Sequence, residues 1–166
     1  MLTLSEALSF LLNKGLTHII LDIKDGPPFG SEGFADAVLS ALSAARCEGA
    51  ACIVWAKDDG VVAELLARGG GARAGFVLMN ETAEARARGM GDLRGRLRGA
   101  SFVAAHWAMV DAPLVAAAAR RGLSVFGWTA NAAHMIDPLI RAGVAAIVTD
   151  APTLVQSRID ALRAAC

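Results

Sequence analysis

The sequence lacks the features that mark several common classes of protein. Sixteen lysine and arginine residues are balanced by sixteen aspartate and glutamate residues, so no net charge draws the chain toward nucleic acid or anionic lipid. Apolar residues make up 55% of the 166 residues, but they are spread in short blocks. Because no block reaches the roughly 20 residues of a membrane-spanning helix, we expect no transmembrane segment.

Cysteine is scarce, and its spacing points to no cross-linked or zinc-bound framework. The three cysteines are Cys47, Cys52 and Cys166, and none forms a Cys-x-x-Cys pair. An odd count without that spacing predicts neither a disulfide framework nor a zinc site. Cys47 and Cys52 flank a predicted helix-to-strand turn, where we expect them to act as small buried apolar side chains.

One local excess of positive charge lies between residues 86 and 98. A basic patch of this kind could hold phosphate groups, but no aromatic residues are interleaved to stack on nucleotide bases. We therefore interpret the segment as a solvated loop or a weak surface helix. Its five basic residues are Arg86, Arg88, Arg94, Arg96 and Arg98.

The N-terminal stretch MLTLSEALSFLLNKG predicts a helix rather than a targeting signal, because it lacks a basic start and is interrupted by Glu6. Thr3 and Glu6 have the spacing of a capping box. Leu4, Leu8, Leu11 and Leu12 then form a helical apolar stripe. The next residues, 18–24, predict a buried strand.

This order of helix and buried strand repeats to the end of the chain. Steps of about 20 to 30 residues between strands require parallel pairing through helical crossovers. Two architectures fit, an open doubly wound sheet or part of a closed barrel. No glycine-rich phosphate loop follows a strand, which counts against a dinucleotide-binding domain. Seven helices, including one begun by Ser31, alternate with six strands at residues 18–24, 52–57, 75–80, 101–107, 123–129 and 144–150.

Pro138 leaves the sixth of these helices open to two interpretations. Either the helix kinks at Pro138, or its regular part begins at Asp137 as the N-cap with Pro138 in the first position.

Polar residues are concentrated at the carboxyl ends of the predicted strands, where parallel β/α proteins place their functional groups. Asp22 and Lys24 are two residues apart and therefore point to the same side of a strand. A carboxylate there can bind a hard divalent cation and a lysine can neutralise phosphate, or the two can form a structural ion pair. The other end residues are Lys57, Asp58, Asn80, His106, Trp107, Trp128, Thr129, Asn131, Thr149 and Asp150.

Most of these residues also have a structural interpretation. Trp128 is either an apolar wall over a ligand or a core aromatic residue. Asn131 and Asp150 are expected to act as helix N-caps. His106 is interpreted as structural rather than as a base. His18 precedes its strand and is expected to be structural, and His134 is expected to be exposed on a helix.

The motifs TLSEALSFLL, LDIK, GLSVFGWTAN and RAGVAAIVTDAP, in this order, resemble glycerophosphodiester phosphodiesterases of the plant type. The family pattern has a TL-x-E-x-L helix, a strand ending in E-x-K, a strand ending in W-T-x-N, and a closing G-V-D-x-I-x-T-D-x-P. The resemblance covers nearly the whole chain, and between residues 57 and 105 it is limited to the order of elements. It implies an α/β fold of the TIM (β/α)₈ type.

The resemblance also implies a reaction, a metal and site residues. The implied reaction is hydrolysis of a small-molecule glycerophosphodiester to glycerol 3-phosphate and an alcohol, by two histidines beside a divalent metal, Mg²⁺ or Ca²⁺. Asp22 matches the family's metal-binding glutamate, although the shorter acid has less reach. Lys24 matches the motif lysine, and Trp128 matches the tryptophan that lines the substrate pocket. Ala145 departs from an aspartate usual in the closing motif.

The family's H-R-G, E-N-T, E-x-D and H-D motifs do not occur in this sequence. A complete barrel takes about 250 residues, so residues 1–166 are expected to form one partial barrel domain without the N-terminal strands. We therefore expect negligible diesterase activity from this chain, and open sheet edges through which it could self-associate. The chain is then a fragment, a splice form or a truncated gene model of an enzyme. Alternatively, it is a non-catalytic remnant used for binding or assembly, or an unrelated open α/β domain.

Overall fold

The computed structural model describes residues 2–24, 33–47, 49–68, 72–93, 96 and 98–164. Over these residues six strands and seven α-helices alternate along the chain, which confirms the predicted order of elements. The elements are α1 (Leu4–Asn13), β1 (Ile19–Ile23), α2 (Phe34–Ala44), β2 (Gly49–Ala56), α3 (Asp59–Arg68), β3 (Ala72–Leu78), α4 (Ala83–Ala87), β4 (Phe102–His106), a 3₁₀ turn (Trp107–Met109), α5 (Ala112–Ala119), β5 (Ser124–Trp128), α6 (Ala133–Ala142), β6 (Ala146–Ile147) and α7 (Pro152–Ala164).

The strands are parallel and follow one another in the sheet in chain order, from β1 to β6. The chain divides into two compact units. Unit 1 holds Met1–Phe76 and Arg96–Ser101, and unit 2 holds Val77–Gly95 and Phe102–Cys166. No helix within the described residues is long and apolar enough to cross a membrane.

Unit 1 is built around an apolar core that begins at the first helix. The predicted capping box is present, since Thr3 Oγ1 accepts from the Glu6 amide and the Glu6 carboxylate accepts from the Thr3 amide at 2.8 Å. Leu8 is the buried member of the α1 stripe and packs with Leu42 of α2 and Val54 of β2. The predicted helix start at Ser31 lies outside the described residues, and α2 begins at Phe34.

Strand β1 corrects the expectation of a strand buried on both faces. Ile19, Leu21 and Ile23 are buried, whereas Ile20 is 39% exposed and Asp22 is also exposed. The burial alternates because only one face of β1 packs on the core of unit 1. Asp22 therefore lies on the open face.

The predicted absence of a disulfide is wrong for two of the three cysteines. Cys47 and Cys52 are both fully buried, as expected, but they form a disulfide with their Cα atoms 5.6 Å apart. Cys47 comes close to Cys52 because the chain turns after α2, where Arg46 has a left-handed φ of 54°. The Cys47 amide bonds to the Leu42 carbonyl at 2.9 Å, which turns the chain back onto β2.

The arginine-rich segment begins in a short surface helix, α4, which ends at Ala87, and Arg94 lies outside the described residues. Arg86 and Arg88 are exposed, which agrees with the structural interpretation, whereas the Arg96 side chain is only 8% exposed. Thr82 caps α4, and the Arg86 guanidinium donates to the Asn80 carbonyl at 2.7 Å. Arg88 pairs with Glu84 one turn away. In unit 1, Arg96 pairs with Asp59 at 2.5 Å and lies over a phenylalanine ring.

Unit 2 packs α6 tightly against β5. Ile136 and Leu139 are fully buried, and a Cβ added to Gly127 would lie 2.7 Å from the Leu139 side chain. Helix α6 begins at Ala133 and has Pro138 in its interior, so a regular helix that starts at Pro138 is excluded. Phe102 of β4 stacks on a phenylalanine of β5 with ring centroids 4.9 Å apart.

Candidate active site

Asp22 and Lys24 are brought together at the carboxyl end of β1 in unit 1. The Lys24 ammonium donates to the Asp22 carboxylate at 2.6 Å, as their spacing in a strand predicted. The two side chains are 67% and 44% exposed, respectively. An ion pair this exposed contributes about 0 to 1 kcal/mol, so a ligand phosphate or cation can replace either partner at little cost.

The described residues provide too few ligands to bind a divalent cation. No group of three or more histidine, cysteine, aspartate or glutamate side chains with metal-binding geometry occurs within them. The Asp22 carboxylate is already bound by Lys24, and a calcium ion takes 6 to 8 oxygens. The described residues therefore do not form a metal site by themselves, and Asp22 offers a single carboxylate toward one.

Trp128 occupies the carboxyl end of β5 in unit 2. Its indole Nε1 donates to the Ala104 carbonyl of β4 at 2.8 Å, which fixes the orientation of the ring. The side chain is partly buried, so it is neither a fully enclosed core residue nor an open surface group. This hydrogen bond therefore attaches the indole of Trp128 to β4.

His106 lies next to Trp128 because the register of the two strands pairs these residues. The rings meet edge to face with centroids 5.2 Å apart. Trp107 lies 5.6 Å from His106 and 5.9 Å from His134, which is exposed on α6 as predicted. Two imidazoles and two indoles thus form an aromatic cluster at the ends of β4 and β5. Each of these residues could be singled out in the sequence, but their grouping depends on the register of β4 and β5.

Asn131 is not the N-cap that was expected. The N-cap of α6 is Ala132, and the Asn131 amide instead joins the end of β5 to the segment after β6. Its Oδ1 accepts from the Asp150 amide at 2.8 Å and from the Thr149 hydroxyl at 3.0 Å. Its Nδ2 donates to the Asp150 carboxylate at 2.7 Å. The side chain of Asn131 therefore connects the W-T-x-N motif to the T-D-x-P motif by hydrogen bonds.

Two further strand-end residues accept hydrogen bonds from the backbone near the start of a helix. Asp58 Oδ1 accepts from the Val61 amide at 3.0 Å and so caps the start of α3. The hydroxyl of Thr149 also accepts from the Ala151 amide at 2.9 Å, ahead of α7. His18 is exposed and pairs with the neighbouring Thr17 hydroxyl at 3.0 Å, which agrees with a structural role.

Comparisons with known proteins show that the chain is similar to one family. Residues 74–154 match the model of the glycerophosphoryl diester phosphodiesterase family. Glycerophosphodiester phosphodiesterase GDPD4 of Arabidopsis thaliana is 32% identical over 164 residues, which cover 99% of this chain and 48% of that protein. The chain thus spans about half the length of the plant relative.

Solved structures share the fold at low sequence identity. A crystal structure described as a putative glycerophosphoryl diester phosphodiesterase from Silicibacter pomeroyi matches with a TM-score of 0.76 and 21% identity, over 95% of this chain and 56% of that one. An Oleispira antarctica phosphodiesterase, solved with the product sn-glycerol-3-phosphate, matches with a TM-score of 0.67 and 18% identity, over 95% and 61% of the two chains. The predicted fold class, an incomplete TIM barrel of six strands and seven helices within the described residues, is confirmed. The predicted resemblance is confirmed as well, since residues 74–154 are similar to the glycerophosphoryl diester phosphodiesterase family.

Proposed function

We propose that this chain carries the substrate-binding part of a glycerophosphodiester phosphodiesterase and holds the glycerol 3-phosphate half of the substrate. The observation that carries the proposal is the family match over residues 74–154, which contains the W-T-x-N and T-D-x-P motifs that Asn131 joins. The product sn-glycerol-3-phosphate bound to the Oleispira antarctica protein, which has the same fold, supports this class of ligand.

Each proposed binding residue has chemistry suited to one part of the ligand. The Lys24 ammonium, held by an exposed and exchangeable ion pair, neutralises phosphate charge. The Trp128 indole, fixed by its bond to Ala104, provides an apolar surface for the carbon skeleton of the glycerol. Asp22 contributes one carboxylate to a divalent cation, Mg²⁺ or Ca²⁺, whose other ligands must come from outside the described residues.

The proposed reaction requires groups beyond these three residues. Water attacks phosphorus, the bond to the alcohol oxygen breaks, and a proton must be delivered to the departing alcohol. General acid and base groups each contribute about 10² to 10⁴ in rate. The H-R-G and H-D motifs that carry the family's histidines do not occur in this sequence. We therefore propose that these 166 residues alone hydrolyse glycerophosphodiesters negligibly.

Two measurements test binding and turnover separately. Calorimetric titration with sn-glycerol 3-phosphate should show binding that Lys24→Ala weakens by about tenfold or more, because a charge-assisted hydrogen bond of about 1.5 to 3 kcal/mol is lost. Lys14→Ala, which removes another exposed lysine from unit 1, serves as the matched control. Glycerophosphocholine with Mg²⁺ or Ca²⁺ should give no turnover. Hydrolysis that disappears on Asp22→Ala would refute the proposed inactivity.

A non-catalytic role in binding or assembly is the second candidate, and the missing catalytic motifs favour it. Under this hypothesis the open faces of the sheet bind protein rather than a phosphodiester. Self-association through the edges of β1 and β6 stays a prediction. Light scattering at rising protein concentration tests it, and a constant monomer mass would count against it.

A further inference from the structure

The register of the first two strands places a second lysine beside Lys24. Strands β1 and β2 pair in parallel as far as Ile23 with Ala56. Lys24 and Lys57 each follow directly after this last pair, so the same register continued by one residue sets them next to each other. Neighbouring strands lie about 4.8 Å apart, a distance that two lysine side chains easily span. Both ammonium groups can therefore reach the same ligand.

Both lysines lie on the open face of unit 1. Ala56 of β2 packs in the core of this unit, as Ile23 of β1 does. Because side chains alternate along a strand, the residue after each of these points to the opposite face. The hydrogen bond from Lys24 to Asp22, at 2.6 Å, agrees with this assignment. Lys57 therefore shares the open face with both of them.

The charges at this end of β1 and β2 leave an excess of positive charge on the open face. The Asp22 carboxylate balances only one of the two lysines, since it is bonded to Lys24. Asp58 Oδ1 accepts from a backbone amide of α3 at 3.0 Å, and Asp59 pairs with a largely buried arginine at 2.5 Å. Lys57 is half-buried, so its charge is screened less than that of an exposed lysine.

Two ammonium groups side by side distinguish phosphate monoesters from phosphate diesters. A monoester has a second pKa of about 6 and carries about two negative charges at neutral and higher pH. A diester has no second ionisable proton and carries a single negative charge. Because the attraction between charges is proportional to their product, a second ammonium group adds more to the binding of the monoester.

We propose that Lys57 is a second phosphate-binding residue beside Lys24, and that the two lysines together select dianionic phosphate monoesters over phosphate diesters. Each ammonium group donates to a different phosphate oxygen. Lys24 can leave Asp22 for the ligand at little cost, because their ion pair is exposed. The inference rests on the proposed function, since it adds a binding residue to the site that holds glycerol 3-phosphate. It implies that this product competes with its own diester for the site.

The test compares ligands of different charge on the full chain. Calorimetric titrations at about pH 8 use sn-glycerol 3-phosphate, inorganic phosphate and glycerophosphocholine, with EDTA present so that no divalent cation contributes. The two dianions should bind about tenfold or more tightly than glycerophosphocholine. Lys57→Gln should weaken binding of the dianions by about tenfold or more and that of glycerophosphocholine by a smaller factor. Lys57→Arg should retain the preference, because it keeps the positive charge.

A matched control separates this site from a general effect of charge. Lys14→Gln removes an exposed lysine ahead of β1 and should bind all of these ligands like the wild type. Urea unfolding of Lys57→Gln should follow that of the wild type, which shows that a loss of binding is not a loss of fold.

The outcomes for this inference and for the proposed function differ. Equal weakening of monoester and diester by Lys57→Gln would overturn the inference. Unchanged binding in Lys57→Gln, with weakened binding in Lys24→Ala, would overturn it and leave the proposed function in place. Inorganic phosphate bound as tightly as sn-glycerol 3-phosphate, and lost equally in Lys57→Gln, would support the two lysines and count against contacts with the glycerol. A wild type that binds none of these ligands would overturn both.

Discussion

A glycine in β5 shows how a single residue determines the packing beside the candidate site. Gly127 precedes Trp128, and the absence of a Cβ lets Leu139 of α6 lie directly against the strand. The periodicity of the sequence predicted a strand here and gave no indication that one of its positions must lack a side chain. That requirement depends on how closely α6 approaches, which is a property of tertiary packing.

We expect Gly127→Ala to destabilise the protein by about 1 to 3 kcal/mol, the usual effect of overpacking a core. The added methyl would lie 2.7 Å from Leu139 Cδ1, and Leu139 is fully buried and cannot move into solvent. Urea unfolding measures the loss. Leu139→Val in the same chain should recover part of it by making room. A Gly127→Ala variant as stable as the wild type would contradict this packing.

Some contacts of the site residues follow from the local sequence, and others depend on segments that are distant in the sequence. The pairing of Asp22 with Lys24 was predictable, because the alternation of a strand fixes their side. The bond from Trp128 to the Ala104 carbonyl depends on the register of two strands that are far apart in sequence. Asn131 was assigned to its own helix, but its side chain bonds across to the segment after β6 instead.

At the scale of elements, one ion pair connects the last two helices. Arg158 of α7 donates to both oxygens of Asp137 of α6, at 2.7 and 2.5 Å. These hydrogen bonds, assisted by the positive charges of Arg158 and Arg141, lower the pKa of Asp137 below the ordinary value of 3.8, although partial burial opposes the shift. The same bonds raise the pKa of Arg158.

The lowered pKa of Asp137 predicts how stability changes with pH. A carboxyl group whose pKa is lower in the folded state stabilises the fold above its unfolded pKa, and this contribution is lost as the pH falls through the folded pKa. The stability advantage of the wild type over Arg158→Gln should therefore be constant above about pH 5 and shrink below pH 3.8. Urea unfolding at several pH values measures it. Arg163→Gln, also on α7, should show no such pH dependence.

The turn between α2 and β2 is closed by the disulfide of Cys47 and Cys52. Closing so short a loop reduces the conformational entropy of the unfolded chain and raises its free energy by about 2 kcal/mol. Reduction should therefore lower the free energy of unfolding by about that amount. Cys166→Ser should leave the effect of reductant unchanged. Alkylation of the unfolded protein without reductant should label one cysteine of three, and labelling of all three would show that the bond is absent.

At the scale of the whole molecule, hydrophobic pattern predicted the order of elements and the fold class. Boundaries were less accurate, since β2 begins three residues earlier than predicted and β6 shrinks to Ala146–Ile147. The pattern could not show which apolar faces are covered. Ile20 of β1 and the stripe of Val155, Ile159 and Leu162 on α7 are as apolar as core residues, yet both remain at least partly exposed. Whether an apolar face is buried depends on which helices and strands pack against it, and amino-acid composition does not show this.

This uneven coverage predicts an uneven distribution of stability within unit 2. Helix α6 buries Ile136 and Leu139 completely, whereas α7 buries no residue and is connected to α6 by the pair of Asp137 and Arg158. Local opening of α7 should therefore require less free energy than opening of α6. We expect the central amides of α7 to exchange at least about tenfold faster than those of α6, a difference of about 1.4 kcal/mol. Exchange measured by mass spectrometry on the isolated chain resolves the two helices. Equal protection would mean that the apolar face of α7 is already covered in the free protein.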